Sequence, residues 1–421
     1  MIICSYYIII QKYNDFKEFR EMLIAGIVAE YNPFHKGHGA LLQYCRECGA
    51  SHVVAVMSGN FVQRGEPALL SKHARAEMAV RNGVDLVIEL PVYWALSGAE
   101  NFALGAVSLL AAAGCQRLCF GSECGDAGLL QEAAAALLQQ DFITETRERL
   151  KTGLSFAAAR NQVWAERFGG PLAGLLQAPN NILGVEYCKA LIRLGTAMQP
   201  CSMRRAGPGH HDRAPLAGIA SGTLLRRMIT ANENWENYLS AESGMIVHRE
   251  ISLLHAPAAT GRIENAILAA LRKMSPAGFS RLPDISEGLE NRLYQAAQAA
   301  VSLNGFYRLV KSKRYALSRI RRLAMCAFLG IEAQAPFTLP PYLRVLAMNP
   351  QGAALLRAVK LRGELPILTR AAQASQLSPA ARALWLQEQQ SCNLYNLCLP
   401  QPLPCGTDLT QKLFYLPKIQ P

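Results

Sequence analysis

The chain has 421 residues, of which 51% are hydrophobic, and a formal net charge of +12 at pH 7. A chain of this length is expected to form two domains rather than one core. No apolar run approaches the roughly 20 residues that a membrane span needs. We therefore expect no membrane insertion and an attraction to polyanions, with nucleic acid before anionic lipid.

The cysteines are scattered along the chain, and no convincing secretory signal precedes them. In a large chain this distribution is typical of reduced thiols in a cytoplasm, so we expect a cytoplasmic location. Cys45 and Cys48 form a C-x-x-C, but the cysteines at 115, 119 and 124 supply no clean second pair. Packing is therefore favoured over a structural zinc site.

Residues 1–21 precede the first predicted strand. The apolar, tyrosine-rich run 1–10 lacks the basic start and the small-residue cleavage site of a signal peptide, and it is too short to span a bilayer. We expect residues 1–21 to be an extra N-terminal arm outside the fold, with Met22 as the natural start.

A strand, a turn and a helix follow. The apolar, β-branched run 23–29 predicts a buried parallel strand, and Asn32-Pro33 disfavours its continuation. A helical pattern over about 39–48 begins just beyond, and its first turn offers free backbone N–H groups. This end of a strand is where an open α/β sheet binds its ligand, and the helix start suits a polyphosphate.

The turn carries His35, Lys36, Gly37 and His38, a His-x-Gly-His motif. The glycine allows close approach of a phosphate, and the imidazoles can donate hydrogen bonds to a leaving pyrophosphate. Alone, two histidines near a turn are more often ordinary polar loop residues. Their position between a strand and a helix favours the nucleotide-binding signature of the HIGH-type nucleotidyltransferases and ligases.

The next elements alternate between strand and helix. Strands are predicted over 53–57, 85–90 and 115–120, with helices over 71–82 and 100–113 between them. In the loop after the second strand, Arg64 is either a phosphate or carboxylate clamp or a solvated arginine. Ser71 is expected to cap the first of these helices, on which Lys72 and Arg75 face either the site or the solvent.

Three later segments carry further nucleotide-site candidates. Gly121 follows the fourth strand at the same sheet edge, where it is a nucleotide contact or a plain turn glycine. Asn180 and Asn181 open a helix, where the alternatives are a helix cap and a ligand contact. Arg205 lies beside a glycine-rich loop. In that loop, His210, His211 and Asp212 are not favoured as a metal site.

A second phosphate-binding helix start is predicted near residue 221. Ser221 or Thr223 can cap a helix, and Arg226 lies about one turn inside it. Such a helix start would meet the β- and γ-phosphates from the face opposite the histidines. Two predicted phosphate-binding helix N-termini in distant parts of a chain indicate a nucleotide site more strongly than one does.

A domain boundary is predicted at 232–262. Helices are predicted beyond it at about 262–274, 286–302 and 313–329, and the end from about 375 is expected to be partly loose. The stretch 311–322 has six basic residues and no acid. As a helix it would bury Leu317, Ile320 and Ala324 and turn several arginines outward. The alternatives are a solvated basic face and a surface for the phosphates of a nucleic acid.

Five motifs stand out along the chain: AEYNPFHKGH at 29–38, MSGNFVQRGEP at 57–67, DLVIELP at 85–91, FGSE at 120–123 and PNNILG at 179–184. They resemble bacterial tRNA(Met) cytidine acetate ligases of the HIGH-type nucleotidyltransferase-like superfamily, and the match runs in order from about Met22 to near residue 370. The resemblance implies an enzyme that forms acetyl-adenylate from acetate and ATP. The enzyme then passes the acetyl group to the wobble cytidine of elongator tRNA(Met).

The resemblance also implies residue roles. His35 and His38 are the catalytic candidates. The expected ATP contacts are Val28, Ala29, Glu30, Tyr31, Asn32, Pro33, Phe34, His35, Lys36, Gly37, His38, Gly39, Ala40, Leu41, Gly121, Asn180, Asn181, Arg205, Ser221, Thr223 and Arg226. The expected tRNA contacts are Lys311, Lys313, Arg314, Arg319, Arg321 and Arg322. Two departures from the family pattern are Leu41, where a further histidine is often found, and His73, where an aromatic residue is common.

The sequence thus predicts an α/β fold. A Rossmann-like HIGH nucleotidyltransferase domain with a parallel sheet, residues 22–240, precedes a mainly α-helical, basic tRNA-binding domain, residues 245–421. ATP is expected to bind with Mg²⁺, although no carboxylate cluster identifies protein ligands for the ion, and no protein partner is inferred. The rival functions are an adenylyltransferase acting on a small phosphorylated metabolite and a non-catalytic RNA-binding protein.

Overall fold

A computed structural model of the protein describes residues 22–205, 220–286, 288–333 and 338–418. The predicted arm 1–21 and the weak metal candidates His210, His211 and Asp212 lie outside the described residues. No helix in the described ranges has both the length and the apolar character needed to cross a membrane.

The strands that the structure describes form one large sheet and a short hairpin. They are β1 (Ile24–Ala29), β2 (His52–Ser58), β3 (Phe61–Val62), β4 (Glu66–Pro67), β5 (Leu86–Leu90), β6 (Arg117–Ser122), β7 (Gln199–Arg204), β8 (Leu343–Met348), β9 (Ile367–Leu368) and β10 (Phe414–Tyr415). The large sheet runs β10-β8-β5-β2-β1-β6-β7, with β9 beside β8, and β3 pairs with β4 separately.

The order of the central strands fixes where a ligand can bind. The strands β5, β2, β1, β6 and β7 are mutually parallel, and β1 pairs with β2 on one side and β6 on the other. Along the chain, β2 and then β5 are added on one side of β1, and β6 and then β7 are added on the other side. The strand order therefore reverses beside β1, and the crevice at the carboxyl ends of β1 and β6 is the expected ligand site of such a sheet.

Helices cover both faces of the sheet and then form the C-terminal part. The helices up to residue 231 are α1 (Lys36–Glu47), α2 (Lys72–Arg81), α3 (Val92–Ala95), α4 (Ala99–Ala112), α5 (Ala127–Leu137), α6 (Gln140–Leu150), α7 (Phe156–Arg167), α8 (Pro179–Leu194) and α9 (Gly222–Ala231). Those that follow are α10 (Ala241–Ser252), α11 (Glu264–Lys273), α12 (Pro276–Ser280), α13 (Leu289–Ala299), α14 (Leu303–Val310), α15 (Leu317–Leu329), α16 (Pro350–Arg362), α17 (Pro379–Tyr395) and α18 (Thr407–Thr410). Short 3-10 turns occupy Gly170–Leu172, Leu175–Gln177, Glu236–Tyr238, Thr260–Ile263, Ala371–Gln376 and Asn396–Cys398.

The α/β fold with a mainly helical C-terminal part is confirmed, with one addition. Strand β8 pairs antiparallel with β5, and β10 pairs with β8, so the C-terminal part also contributes strands to the sheet. Pairing β5 with β8 satisfies backbone groups that an open sheet edge would leave exposed. The expected boundary between 240 and 245 therefore does not separate two independent chain halves, because residues 343–348 return to the first.

The helical part has its own core. Buried residues of α11, α13, α14 and α15 pack with Phe61 of the β3–β4 hairpin and with Tyr395 of α17. Helix α15 begins at Leu317 and not at 313 as predicted, and Ile320 and Ala324 are buried in this core as predicted.

The expectation of a partly loose end from about 375 is wrong for the described residues. Helix α17 buries Trp385 and Tyr395, and Asp408 in α18 is 5% exposed. The Tyr395 hydroxyl donates a hydrogen bond to the Ala68 carbonyl oxygen at 3.0 Å. The C-terminal segment is thus fastened to the sheet domain.

Candidate active site

The turn between β1 and α1 is fixed by buried side chains. Tyr31 takes a left-handed backbone conformation, with φ of 45°, and Asn32 Oδ1 accepts a hydrogen bond from the Leu69 N–H at 2.8 Å. The rings of Tyr31 and Phe34 are buried, with centroids 5.0 and 5.5 Å from that of His38. The turn therefore presents its histidines from a rigid, apolar base.

Hydrogen bonding sets the tautomer of both histidines. His35 Nδ1 accepts from the Gly37 N–H at 3.1 Å, and His38 Nδ1 accepts from the His35 N–H at 3.1 Å. The two residues form a reciprocal cap on α1, and their rings stack with centroids 3.8 Å apart. A neutral imidazole that accepts at Nδ1 carries its proton at Nε2, so each ring can donate from Nε2 to a ligand.

The imidazoles are held neutral. Burial lowers the pKa of His35 to about 3, with Arg205 and Arg226 adding to the effect. Burial, His35 and Arg205 lower the pKa of His38 well below its ordinary value of 6.5. The histidines are therefore neutral hydrogen-bond donors at pH 7, and the positive charge near them belongs to the arginines.

The second predicted helix start lies directly against the first. Ser221 Oγ caps α9 by accepting from the Leu224 N–H at 3.2 Å. A Cβ atom placed on Gly222 would lie 3.9 Å from His35 Nε2 and 3.4 Å from Arg226 Nη1. The fold thus joins two helix N-termini that are almost 190 residues apart in the chain, and it leaves backbone N–H groups of both facing one space.

Two arginines meet at this junction. Arg226 donates from Nη1 to the Asn32 carbonyl oxygen at 3.0 Å and from Nη2 to Thr223 Oγ1 at 3.2 Å. Arg64 also donates to Thr223 Oγ1, at 3.1 Å. This contact places Arg64 at the first turn of α9 beside Arg226, and its role as a clamp stays a prediction.

The other wall combines a glycine with a helix cap. A Cβ atom on Gly121 would lie 3.1 Å from Arg205 Cγ, so the glycine makes room for this arginine. Glu123 Oε1 accepts from Asn180 Nδ2 at 2.7 Å, and Glu123 Oε2 accepts from the Asn181 N–H at 2.8 Å. Burial alone would raise the pKa of Glu123, but these hydrogen bonds outweigh burial and lower it.

Asn181 is a structural residue in this structure. It is 5% exposed, and its Oδ1 accepts from the Cys124 N–H at 3.0 Å. The capping alternative is therefore wrong for the asparagine side chains, because Ala178 occupies the cap position and Glu123 accepts the N–H groups of Asn180 and Asn181. Asn180 is the member of the pair that is half-buried at the crevice.

The remaining predicted ATP contacts differ in exposure. Ala29, Tyr31, Asn32, Pro33 and Phe34 are buried, Val28, Glu30, Gly37, Gly39 and Leu41 are half-buried, and Lys36 and Ala40 are exposed. Leu41 packs against the core on this face of the sheet, so it fills apolar space in place of the histidine often found in the family.

Arg75 and Lys72 face neither the ligand nor the solvent. Arg75 is fully buried and donates to the carbonyl oxygens of Glu30, Ser58 and Gly59, at the ends of β1 and β2, and to that of Leu70, just before α2. It holds the two loops that frame the crevice. A signal was available in the sequence, because cations in the first turn of a helix oppose its dipole and need dedicated partners.

Lys72 belongs to a buried ionic cluster. Its Nζ lies 2.7 Å from Glu89 Oε1 and 3.2 Å from Asp408 Oδ1. Arg344 Nη1 lies 3.1 Å from Glu89 Oε2 and 2.7 Å from Asp408 Oδ2. His73 Nε2 lies 2.8 Å from Asp408 Oδ1. The histidine at this position, where the family commonly has an aromatic residue, therefore has Asp408 as its partner.

The basic stretch 311–322 is only partly available to a ligand. Lys311 and Lys313 are exposed, and Arg314 is half-buried. Three arginines are engaged: Arg319 donates to Ser286 Oγ at 2.9 Å, Arg322 lies 3.9 Å from Asp284, and Arg321 lies 5.8 Å over the Tyr307 ring. Of the two alternatives, solvated face or tRNA surface, the outward lysines keep the second open.

No group of three or more His, Cys, Asp or Glu side chains suited to a metal ion occurs in the described parts of the chain. Cys45 and Cys48 carry free thiols. Cys45 is buried and Cys48 is half-buried, and the packing interpretation of the C-x-x-C stays a prediction.

Comparison with known proteins adds a family to this geometry. The family model described as HIGH Nucleotidyl Transferase matches residues 22–406. The tRNA(Met) cytidine acetate ligase of Syntrophomonas wolfei is 37% identical over 410 residues, which cover 92% of this chain and 98% of the relative. The tRNA(Met) cytidine acetate ligase of a Thermoanaerobacter species is 36% identical over 406 residues, which cover 94% of this chain and all of the relative.

Solved structures agree with the sequence comparison. The crystal structure of apo Thermotoga maritima TmcAL matches with a TM-score of 0.89 at 30% identity, covering 94% of this chain and 100% of that one. The same protein bound with alpha-thio ATP matches with a TM-score of 0.86 at 31% identity. The chain belongs to the tRNA(Met) cytidine acetate ligase family, within the HIGH nucleotidyl transferases.

Proposed function

We propose that the protein is an ATP-dependent ligase that adenylates acetate and transfers the acetyl group to the exocyclic amine of the wobble cytidine of elongator tRNA(Met), giving N4-acetylcytidine. The observation that carries the proposal is the junction of two helix N-termini, with neutral His35 Nε2 on one side and Arg226 on the other, both within 4 Å of a Cβ on Gly222. Such a junction suits a triphosphate. The relatives of the same family bear the activity in their names.

The first half-reaction is the attack of an acetate oxygen on the α-phosphorus of ATP. The bond from the α-phosphorus to the bridging oxygen breaks, and pyrophosphate leaves. His35 and His38 donate from Nε2 to the developing charge, and Arg205 and Arg226 add positive charge. No covalent intermediate with the enzyme is needed, because positioning and charge stabilisation supply the acceleration.

Mg²⁺ is proposed to enter with ATP. The described residues group no set of carboxylates to hold it, so its ligands would be phosphate oxygens and water. The carboxylates beside the crevice already have protein partners: Glu30 accepts from the Gln63 N–H, Glu66 lies 3.9 Å from Arg226, and Glu123 accepts from Asn180 of α8. We further propose a cytoplasmic enzyme whose substrates besides ATP are acetate and tRNA, with no protein partner inferred.

Incubation with labelled acetate, ATP and unmodified elongator tRNA(Met) tests the proposal. We expect ATP-dependent label on the tRNA and the release of AMP and pyrophosphate. AMP transfer to a phosphorylated metabolite would support the adenylyltransferase alternative instead. RNA binding with no ATP consumption would support a non-catalytic protein. Either of these results, without labelled tRNA, would overturn the ligase.

Reversing the charge of the exposed lysines in the basic stretch is expected to weaken tRNA binding. The change Lys311→Glu with Lys313→Glu removes two cations that contact no described partner and adds two anions. We expect the tRNA dissociation constant to rise about tenfold and its dependence on salt concentration to become shallower, because fewer counterions are released.

Filter binding over a range of salt concentrations measures this effect. Lys151→Glu is the matched control, since Lys151 is 72% exposed at the end of α6, outside the stretch 311–322. Acetate-dependent exchange of pyrophosphate into ATP, without tRNA, should be unchanged in both variants. Equal tRNA affinity in the double variant and the wild type would show that the stretch 311–322 does not bind tRNA.

A further inference from the structure

A second concave site adjoins the proposed ATP site. A cavity of about 390 Å³ lies between one face of α9, the β4 strand and the segment 258–260. Its lining is mostly apolar and includes Pro67 and Leu69, and its charged members are Glu66, Arg226 and Arg227. Arg226 is shared by the two sites, because its other contact is the Asn32 carbonyl oxygen beside the histidine turn.

Glu66 is the carboxylate of this cavity. Its Oε1 lies 3.9 Å from Arg226 Nη2, and the side chain is 30% exposed. An acidic group at the border of a site built for polyphosphate opposes ATP binding, so binding of the phosphates does not explain it. Arg226 faces the carboxylate from beyond hydrogen-bond distance, so Glu66 can accept hydrogen bonds from a ligand that brings donors.

The hairpin that lines the cavity also packs on the basic stretch. Gly65, the neighbour of Glu66, packs so closely on α15 that a Cβ atom would lie 2.5 Å from Arg321 C and Arg322 N. The hairpin that carries Glu66 is therefore docked on the backbone of the proposed tRNA surface. A nucleotide of an RNA held at residues 311–322 has a short path to this cavity.

We infer that this cavity receives the target cytidine and that Glu66 is the catalytic base that accepts a proton from the exocyclic amine. The inference rests on the proposed function. A carboxylate accepts hydrogen bonds from cytosine N4 and meets only a carbonyl oxygen at the same position of uracil. The apolar part of the lining gives the base a surface to pack on, and a cavity of about 390 Å³ is large enough for one nucleoside.

The step balances without any further reactant. The N4 nitrogen attacks the acetyl carbon of acetyl-adenylate, and a C–N bond forms. The bond from that carbon to the phosphate oxygen breaks, and AMP leaves with the electron pair. The N4 proton passes to the Glu66 carboxylate and then to solvent. Arg226, which reaches both sites, places the mixed anhydride next to the amine.

The test measures the two half-reactions, adenylation and acetyl transfer, separately in the variant Glu66→Gln. We expect acetate-dependent pyrophosphate exchange within about threefold of the wild type and single-turnover acetyl transfer to tRNA slower by about 100-fold, a typical effect of losing a general base. Glu233→Gln is the matched control, because Glu233 is exposed just beyond α9, and it should leave both rates unchanged. Transfer by Glu66→Gln at the wild-type rate would overturn the assignment of the base.

A second pair of variants tests the cavity itself. Ala259→Leu adds bulk at its lining, and Ala299→Leu makes the same change at an exposed position of α13. We expect only Ala259→Leu to slow transfer, by about tenfold or more, with pyrophosphate exchange and tRNA affinity kept. Equal rates of acetyl transfer in both variants would show that the cavity takes no part in the reaction. If the wild type itself transfers no acetyl group, the proposed function has failed and not this assignment.

Discussion

Replacing His38 with alanine is expected to slow acetyl-adenylate formation by about 100- to 1,000-fold, the cost of removing one donor aimed at developing charge. The reason is the fixed tautomer: Nδ1 of His38 accepts the His35 N–H, so Nε2–H points to the ligand. Acetate-dependent pyrophosphate exchange measures this half-reaction. The affinity for tRNA should stay within about twofold, because no tRNA contact is assigned to this turn.

His38→Asn separates the chemical role from the cap. The asparagine keeps an acceptor for the His35 N–H and loses the distal donor, so we expect it to fold and to be nearly as slow as His38→Ala. His248→Ala is the control, because His248 is 60% exposed on α10, and it should retain full activity. Loss of tRNA affinity together with adenylation would show that the two roles are not separable.

The pH dependence of the same half-reaction carries an independent prediction. Burial lowers the pKa of His35 to about 3 from its ordinary value of 6.5, so neither ring gains a proton between about pH 6 and 8. We expect exchange rates that show no imidazole titration in that range. A tenfold fall in rate on acidification, centred near pH 6.5 and absent from His38→Asn, would contradict the neutral-donor assignment.

Replacing Lys72 with methionine is expected to lower the free energy of unfolding by about 3–5 kcal/mol, the usual result of breaking a buried ion pair from one side. Lys72 and Arg344 together neutralise Glu89 and Asp408, and all four side chains are less than 10% exposed. Without Lys72, two buried carboxylates share one guanidinium. Urea unfolding followed by circular dichroism measures the loss.

Two further variants make the result interpretable. Lys151→Met breaks a surface pair with Glu148 and should cost less than about 1 kcal/mol. Lys72→Met combined with Asp408→Asn removes one charge of each sign, so it should be more stable than Lys72→Met alone. A loss below about 1 kcal/mol in Lys72→Met would show that the cluster does not hold the C-terminal segment to α2.

Acid stability follows from the same cluster. Burial opposes the ionisation of Asp408, but Lys72, His73 and Arg344 outweigh burial and lower its pKa below the ordinary value of 3.8. A group with a lowered folded-state pKa contributes its stabilisation fully above the unfolded value and loses it as the pH falls further. The contribution of Asp408 is therefore complete at neutral pH and is lost only in strong acid.

The sequence by itself determined the features whose physical causes are local. The run of β-branched residues before Asn32-Pro33 gives β1, and the cap at Ser71 gives the start of α2. The same holds for the cap at Ser221, which begins α9. The His-x-Gly-His turn lies between a strand and a helix for the same reason, and it was sufficient to indicate a nucleotide site.

Only the tertiary structure decided which side chains meet across long stretches of chain. Asp408 pairs with Lys72 from 336 residues away, and no local pattern connects them. The sequence places Glu66 in a loop, and only the fold places it in one cavity with residues of α9 and the segment 258–260. The histidine turn and Ser221 were each visible in the sequence, but their contact depends on the order of the strands. Burial and charge neutralisation are properties of the assembled core, so they select partners that propensity and spacing cannot specify.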